Sequence, residues 1–161
     1  MSLILTQEPQ FVQQEVLKGL QQYDKRASVQ VNTMILYPYY FLEFEVSAKS
    51  LLKFNGKIAC TIDTISGQGA IIDVQPEFIQ RPIVDEKILP IEISEKEAEQ
   101  LAEKFIFQAA TQKAKFITIP TVTIHSTALF YRPFWLAEYN SKVSGGREVI
   151  VDAISGSYHP L

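Results

Sequence analysis

The amino-acid sequence predicts an α+β fold of two tandem units, each a helix followed by antiparallel strands in the order α-β-β-β. Two stretches with helical periodicity each precede stretches in which apolar and polar residues alternate. A Pro-aromatic motif and an Asp-x-Ile-Ser-Gly motif then follow each helix in the same order. We expect the units at residues 6–73 and 94–158, joined by a proline-containing connector at 74–93 and packed as one compact unit.

The first unit opens with a helix that is predicted to begin near Thr6, because threonine caps helices and Pro9 is tolerated in a first turn. Apolar residues at helical spacing define one face of it: Val12, Val16, Leu20 and Tyr23. From Ala27 the period changes to two, which predicts strands on either side of Pro38 and at residues 57–65 and 70–72. The connector contains Pro76, Pro82 and Pro90, a spacing that no regular helix accommodates.

The second helix has the clearest signal in the sequence. Ser94-Glu95-Lys96-Glu97 has the spacing of a capping box, in which the serine hydroxyl accepts a hydrogen bond from a backbone N–H of the first turn. Apolar residues then follow at helical spacing: Ala98, Leu101, Ala102, Phe105, Ile106, Ala109 and Ala110. Strands are expected to follow at residues 116–119, 122–130, 134–139 and 148–154.

Two pairs of segments indicate an internal duplication. Residues 38–44, Pro-Tyr-Tyr-Phe-Leu-Glu-Phe, align without gaps with residues 133–139, Pro-Phe-Trp-Leu-Ala-Glu-Tyr. Residues 63–67 and 152–156 are identical at four of five positions. In the second pair we expect a tight turn, because glycine adopts positive φ and the Asp side chain can accept hydrogen bonds from the turn backbone.

The order of these elements resembles PepSY-type domains and their cystatin-like relatives. The features that carry the resemblance are a bulky aromatic strand after proline and a closing strand in Asp-Ala-x-Ser/Thr-Gly, matched best by Val-Asp-Ala-Ile-Ser-Gly at residues 151–156. The first copy departs from the pattern, because Thr64 stands where alanine is usual. The resemblance implies a cystatin-like topology and a non-enzymatic module, and some members are proposed to inhibit peptidases or to act at the cell envelope.

Charge and hydropathy exclude two classes of partner. The net charge is −3, from 15 basic and 18 acidic residues, and no run of Lys or Arg exceeds two, so we expect no nucleic-acid partner. No apolar run approaches the roughly 20 residues of a membrane helix, which predicts no membrane insertion. The sequence reads as cytoplasmic, with the cell envelope or the extracellular space as the alternative if an N-terminal signal was trimmed.

The residues with reactive side chains do not predict catalysis. The single cysteine, Cys60, shares strand parity with Ile58 and Ile62 and is interpreted as a buried apolar residue. The two histidines, His125 and His159, lack the spacing of metal ligands, so we expect neither a metal nor a cofactor. We therefore predict that the protein is not an enzyme.

Glu43 and Glu138 are the one carboxylate pair worth naming, because they occupy equivalent positions in the two copies. If a pseudo-twofold axis brought them together, they could share a proton and serve in acid-base chemistry. We favour the simpler interpretation that both are solvated outward residues.

The candidate binding residues are aromatic side chains near the two Pro motifs, together with this carboxylate pair. If one face of the strands packs on a helix, alternation sends bulky apolar residues to the opposite face, which is normally polar in such a sheet. Either the two copies bury these residues against each other, which we favour, or they form a patch for a partner or for a second copy in a homodimer. The candidate set is Tyr39, Phe41, Glu43, Phe134, Trp135, Leu136 and Glu138.

The sequence thus favours a non-catalytic binding module that recognises a protein or peptide. The alternative is a small-ligand-binding or enzymatic cystatin-like cone with an internal pocket. A cavity lined by Trp135, Tyr139 and converging polar groups would favour the alternative.

Overall fold

The computed structural model describes residues 3–23, 25–48, 54–113, 119–142 and 145–160. Within these ranges the chain forms nine strands and two helices. In chain order they are β1 (Leu3–Gln7), α1 (Gln13–Tyr23), β2 (Ser28–Ala48), β3 (Phe54–Asp63), β4 (Gly69–Ile72), β5 (Phe78–Pro82), β6 (Lys87–Ile88), α2 (Glu95–Lys113), β7 (Thr121–Ser141), β8 (Gly145–Asp152) and β9 (Tyr158–Pro160). Neither described helix combines the length and apolarity needed to cross a membrane.

The predicted fold class, two tandem helix-plus-antiparallel-sheet units of PepSY-like or cystatin-like type, is wrong. The described residues are 54% strand and 20% helix, and the strands form one large mixed sheet. Its main path is β4-β3-β2-β7-β1-β5, while β6 pairs with β2, β8 with β7 and β9 with β8. The sheet is mixed because β1 runs parallel to β7, and β6 runs parallel to β2.

The error has a physical cause in the two long strands. β2 and β7 are each 21 residues long and run through Pro38 and Pro133, where the sequence predicted interruptions. Pairing with β3 begins at Tyr39, and pairing with β8 begins at Phe134, one residue after each proline. A strand tolerates proline where no ladder hydrogen bond needs its missing N–H.

The segment that was expected to start the first helix forms a paired strand instead. Thr6 lies in β1 rather than in a helix cap, and its buried hydroxyl donates to the carbonyl oxygen of Tyr131 at 2.9 Å. β1 pairs antiparallel with β5, from Leu3 opposite Pro82 to Gln7 opposite Phe78, so part of the predicted connector is a strand. Of the strand expected at residues 116–119, residues 116–118 lie outside the described residues.

The second helix and the two turn motifs are confirmed. Ser94 Oγ accepts a hydrogen bond from the Glu97 N–H at 3.2 Å, as the capping box predicts. Asp63 Oδ1 accepts from the Ile65 N–H at 2.8 Å, and Asp152 Oδ1 accepts from the Ile154 N–H at the same distance. Each turn ends at a glycine with positive φ, 76° at Gly67 and 78° at Gly156.

The chain divides into two compact units, each assembled from segments that are distant in sequence. Unit 1 contains Met1–Tyr37, Glu77–Leu89 and Tyr131–Leu161, and unit 2 contains Pro38–Pro76 and Pro90–Phe130. β2 and β7 therefore contribute one half to each unit.

Helix α2 forms the core of unit 2 with β2 and β3. The buried helix residues are small, apart from Ile106, which lets the helix lie close to the strands. The strand residues that face it alternate along β2 and β3, as the sequence predicted: Tyr40, Leu42, Phe44, Val46, Cys60 and Ile62. Burying each large side chain in such a cluster contributes about 1.5–3 kcal/mol.

Helix α1 forms the core of unit 1 with strands that follow it by more than a hundred residues. Val16 and Leu20 pack with Val31 of β2. The other members of the cluster lie on β7 and β8: Ala137, Tyr139, Val149 and Val151. Of the helix face predicted from the sequence, Val16 and Leu20 are buried, whereas Val12 and Tyr23 are exposed. Most of the surface that the buried residues cover lies in the last third of the chain.

Candidate functional site

Three of the predicted site residues, Tyr39, Phe41 and Glu43, lie in unit 2 and make their contacts within it. The Tyr39 ring stacks on Phe130, with ring centroids 5.6 Å apart, and Phe41 is only 3% exposed. Glu43 Oε1 accepts a hydrogen bond from Ser126 Oγ at 3.2 Å. These side chains stabilise the sheet and present little exposed aromatic surface.

The apolar site residues predicted in unit 1, Phe134, Trp135 and Leu136, are also packed within their own unit rather than exposed. Phe134 packs edge-on against Tyr37 at 6.0 Å, and the indole N–H of Trp135 donates to the carbonyl oxygen of Phe11 at 2.8 Å. Leu136 is half-buried, and Glu138 is exposed opposite Glu148 on β8.

The carboxylate pair named from the sequence does not form one site. Glu43 belongs to unit 2 and Glu138 to unit 1, and each has neighbours of its own. The five apolar residues of the candidate set are all buried or half-buried, so they form no exposed apolar patch in the described structure.

A different feature of unit 1, the tyrosine cavity, has the composition of a binding site. It has a volume of about 200 Å³ and is lined by Leu20, Tyr23, Tyr139, Arg147, Val149 and Tyr158. Tyr139 and Leu20 are buried, whereas Tyr23 is 71% exposed and Tyr158 is 44% exposed. The two exposed rings meet edge to face at 5.7 Å and form part of the cavity rim.

The folding of α1 onto the late strands creates this cavity. Leu20 and Tyr23 lie in the last turns of α1, and Tyr139 lies opposite Arg147 across the β7–β8 ladder. Because side chains alternate along a strand, Arg147 and Val149 share the face of β8 that the helix covers. Pairing of β9 with β8 then brings Tyr158 beside them.

The strand edge next to the cavity is only partly paired. On one side, the whole of β8 pairs with β7. On the other side, β9 pairs with Val149, Ile150 and Val151, and within the described residues no strand pairs with the outer side of residues 145–148. An open strand edge presents backbone N–H and C=O groups that can accept another strand.

Arg147 is a solvent-exposed cation in this setting. Within the described ranges no carboxylate forms an ion pair with its guanidinium. The neighbouring acid along the strand, Glu148, points to the opposite face by alternation and lies across from Glu138.

Two larger cavities in unit 2 have mixed charges. One of about 550 Å³ has Glu45 and Lys57 in its wall, directly opposite each other on β2 and β3. His125 Nδ1 lies 3.7 Å from Glu45 Oε1. The other, of about 730 Å³, includes the adjacent Glu103 and Lys104 of α2. In both cavities basic and acidic side chains offset one another, which leaves no dominant sign of charge for a ligand.

Reactive groups do not converge on any of these cavities. Burial raises the pKa of the Cys60 thiol to about 12, which disfavours the nucleophilic thiolate near neutral pH. Burial also raises the pKa of the Tyr131 phenol. In the part of the chain that the structure describes, no group of three or more His, Cys, Asp or Glu residues is placed to hold a metal ion.

Sequence reasoning missed most of the tyrosine cavity. It placed Tyr23 on the apolar face of a helix, named Tyr139 only for an internal pocket with Trp135, and proposed neither Arg147 nor Tyr158 as a binding residue. No local pattern links these residues, because Tyr23 and Tyr158 lie 135 positions apart in the printed sequence (158 − 23). Local signals exist only within single elements: Leu20 and Tyr23 lie at helical spacing on α1, and Arg147 and Val149 alternate on β8.

Comparison with known proteins adds no further assignment. No protein-family model, no curated protein and no solved structure matches this chain. The resemblance to PepSY-type and cystatin-like repeats accordingly stays a prediction from short motifs.

Proposed function

We propose that the protein is a non-catalytic binding module that holds an extended peptide segment of a partner protein along residues 145–148 of β8, the part of that strand that pairs with β7 alone among the described residues. One side chain of that segment occupies the tyrosine cavity. The observation that carries the proposal is the position of this cavity beside residues 145–148 of β8, which among the described residues pair with β7 alone.

The size of the cavity favours a side chain over a whole small molecule. Sites for drug-sized ligands have volumes of about 300–1,000 Å³. The tyrosine cavity, at about 200 Å³, is smaller and is rimmed by exposed rings. A cavity lined by both Trp135 and Tyr139 would have favoured the alternative function. The Trp135 N–H instead donates to the Phe11 carbonyl oxygen, and Trp135 is not among the residues that line the tyrosine cavity.

The strand edge supplies the second part of the recognition mode. A peptide that adds to a sheet edge gains main-chain hydrogen bonds, and every second side chain points to the same face. On β8 this face carries Arg147 and Val149, so alternate peptide side chains would point toward the tyrosine cavity. Tyrosine and arginine are also the residue types enriched at energetically dominant positions of protein interfaces.

A peptide selection tests the proposal. Random eight-residue peptides are displayed against the immobilised protein, enriched sequences are synthesised, and their Kd values are measured by fluorescence anisotropy. Removing a rim ring in Tyr158→Ala is expected to weaken binding by about 10-fold or more, as truncation at an interface hot spot does. Circular dichroism checks that the variant keeps its fold.

The matched control is Phe107→Ala, which removes a partly exposed ring from α2 in unit 2. It should change the Kd by less than about twofold, because the ring lies outside the tyrosine cavity. The proposal is wrong if the selection enriches no peptide. It is also wrong if the enriched peptides bind Tyr158→Ala as tightly as the wild type.

A further inference from the structure

We infer that the tyrosine cavity selects a carboxylate, so that the recognised segment is an acidic peptide. The inference rests on the proposed function, because it names the chemistry of the side chain that the cavity takes. It is carried by the charge of Arg147, by the surroundings of that charge and by the walls of the cavity.

The guanidinium of Arg147 lacks a counterion in the described structure. Arg81 forms an ion pair with Glu86, and Arg132 forms one with Asp152. Arg147, in contrast, lines a cavity whose described lining residues include no acid. A planar guanidinium offers paired N–H donors that match the two oxygens of a carboxylate.

The apolar side chains that line the cavity beside Arg147 favour a carboxylate over a neutral side chain. Leu20 and Val149 form apolar surface beside the guanidinium. A purely apolar side chain that filled the cavity would take water away from the guanidinium without replacing its hydrogen bonds, which is costly. A carboxylate supplies those hydrogen bonds, and tyrosine hydroxyls can donate further ones.

Basic residues of unit 1 occur in the segments next to the cavity. Lys25 lies two positions after the end of α1, and Lys142 follows the end of β7 in the hairpin that leads to β8. Both are exposed, in a chain whose net charge is −3. Exposed cations near a binding site favour the approach of an anionic segment and make its association dependent on ionic strength.

A carboxylate can come from two sources within a peptide. One is the side chain of Asp or Glu within the extended segment, and the other is the C-terminal carboxylate of the peptide itself. Both offer the same pair of oxygens to Arg147, so the experiment must vary them separately.

The first measurement repeats the peptide selection with two baits, the wild type and Arg147→Gln. Acidic residues should be enriched among peptides selected on the wild type and should lose that enrichment on Arg147→Gln. Lys87→Gln is the matched control bait, because it removes one positive charge from an exposed position of unit 1 outside the cavity.

The second measurement uses one enriched peptide in four forms, with Glu or Gln at the selected position and with a free or amidated C-terminus. Losing the carboxylate that binds should raise the Kd for the wild type by about 10-fold to 100-fold, the range expected for a charge-assisted hydrogen bond. Arg147→Gln should bind all four forms with similar affinity, whereas Lys87→Gln should keep the wild-type preference. The form that loses affinity identifies the source of the carboxylate.

The possible outcomes separate the two proposals. If neutral and acidic forms bind the wild type equally well while Tyr158→Ala still weakens binding, the carboxylate inference is wrong and the peptide-binding function stands. If Arg147→Gln keeps the preference for the acidic form, the inference is also wrong. If no peptide binds the folded wild type, both fail together.

Discussion

At the scale of single residues, the two turn motifs show how strongly local chemistry determines local structure. Asp63 and Asp152 accept backbone N–H bonds from residues two and three positions ahead, and a glycine with positive φ follows in each case. All participants lie within five positions of each other. The turns therefore follow from the motif itself, whatever strands they connect.

The two glycines Gly156 and Gly19 give opposite predictions for the same substitution. In Gly156→Ala, the new Cβ would lie 2.8 Å from the Phe11 ring at a backbone φ of +78°. We expect a loss of about 2 kcal/mol or more in the free energy of unfolding, because both the left-handed conformation and the steric conflict are costly.

Gly19→Ala is the matched control, because no atom lies within 4 Å of the new Cβ in the exposed middle of α1. It should stabilise the protein by about 0.5–1 kcal/mol, since alanine favours helix. Urea denaturation of both variants measures the two changes. Equal changes in the free energy of unfolding for the two substitutions would contradict the strained, crowded backbone at Gly156.

At the scale of elements, the contact between Trp135 of β7 and the segment before α1 fixes how that helix lies on the strands. The Trp135 ring packs against the core cluster of unit 1, and its N–H bonds the Phe11 carbonyl at 2.8 Å. One side chain thus links the chain entering α1 to a strand that follows more than a hundred residues later.

Trp135→Ala should destabilise the protein by roughly 3 kcal/mol, near the lower end of the range for large aromatic truncations, because the ring is half-buried. Trp135→Phe keeps an aromatic ring and loses the hydrogen bond, so a smaller loss of about 1–2 kcal/mol is expected. Chemical denaturation measures both values. A loss of only a few tenths in Trp135→Ala would show that the ring makes no core contact in solution.

The turn between β5 and β6 contains an ion pair with a pH-dependent contribution. Burial alone would raise the pKa of Glu86. Hydrogen bonds from the Val84 N–H and the Arg81 guanidinium outweigh this effect, and the pKa lies below its ordinary value of 4.5. A lowered pKa in the folded state means that the stabilisation is present above the unfolded-state pKa and is lost as the pH falls through the folded-state value.

We therefore expect Glu86→Gln to lower the free energy of unfolding by about 1–3 kcal/mol near pH 7, the scale of hydrogen bonds to charged groups. The difference from the wild type should shrink as the pH falls below the unfolded-state pKa of about 4.3, because protonation of the wild-type carboxylate then removes the charged acceptor. Denaturation curves at several pH values measure it. A difference that stays constant down to pH 3 would rule out this account.

At the scale of the whole molecule, each unit combines segments from the first half and the second half of the chain. Unit 1 combines residues 1–37 and 77–89 with 131–161, and unit 2 combines 38–76 with 90–130. Helix α1 accordingly shares its core with β7 and β8, and helix α2 shares its core with β2 and β3.

Cutting the chain between Leu89 and Pro90 should therefore leave neither half able to fold alone. Fragments 1–89 and 90–161 each lack part of both cores, so we expect little cooperative unfolding from either fragment and recovery of it when they are mixed. Circular dichroism melting curves of the fragments and the mixture provide the measurement. A cooperative transition in one isolated fragment would contradict the interleaved arrangement of the two cores.

The sequence by itself determined the features whose causes lie within a few positions. The capped helix α2, the alternation of buried residues along β2 and β3, the burial of Cys60 and the turns at Gly67 and Gly156 are of this kind. Periodicity and turn chemistry act locally, so these elements could be predicted without knowing their partners.

Only the tertiary structure decided which elements meet. Backbone hydrogen bonds are the same for every strand, so the pairing of β1 with β5 and the passage of β2 and β7 through their prolines have no local signature. The tyrosine cavity depends on the same long-range choices, because α1 supplies Tyr23 and β9 supplies Tyr158. The candidate site follows from pairing across the full length of the chain, and this is why the aromatic residues singled out near the two prolines did not form it.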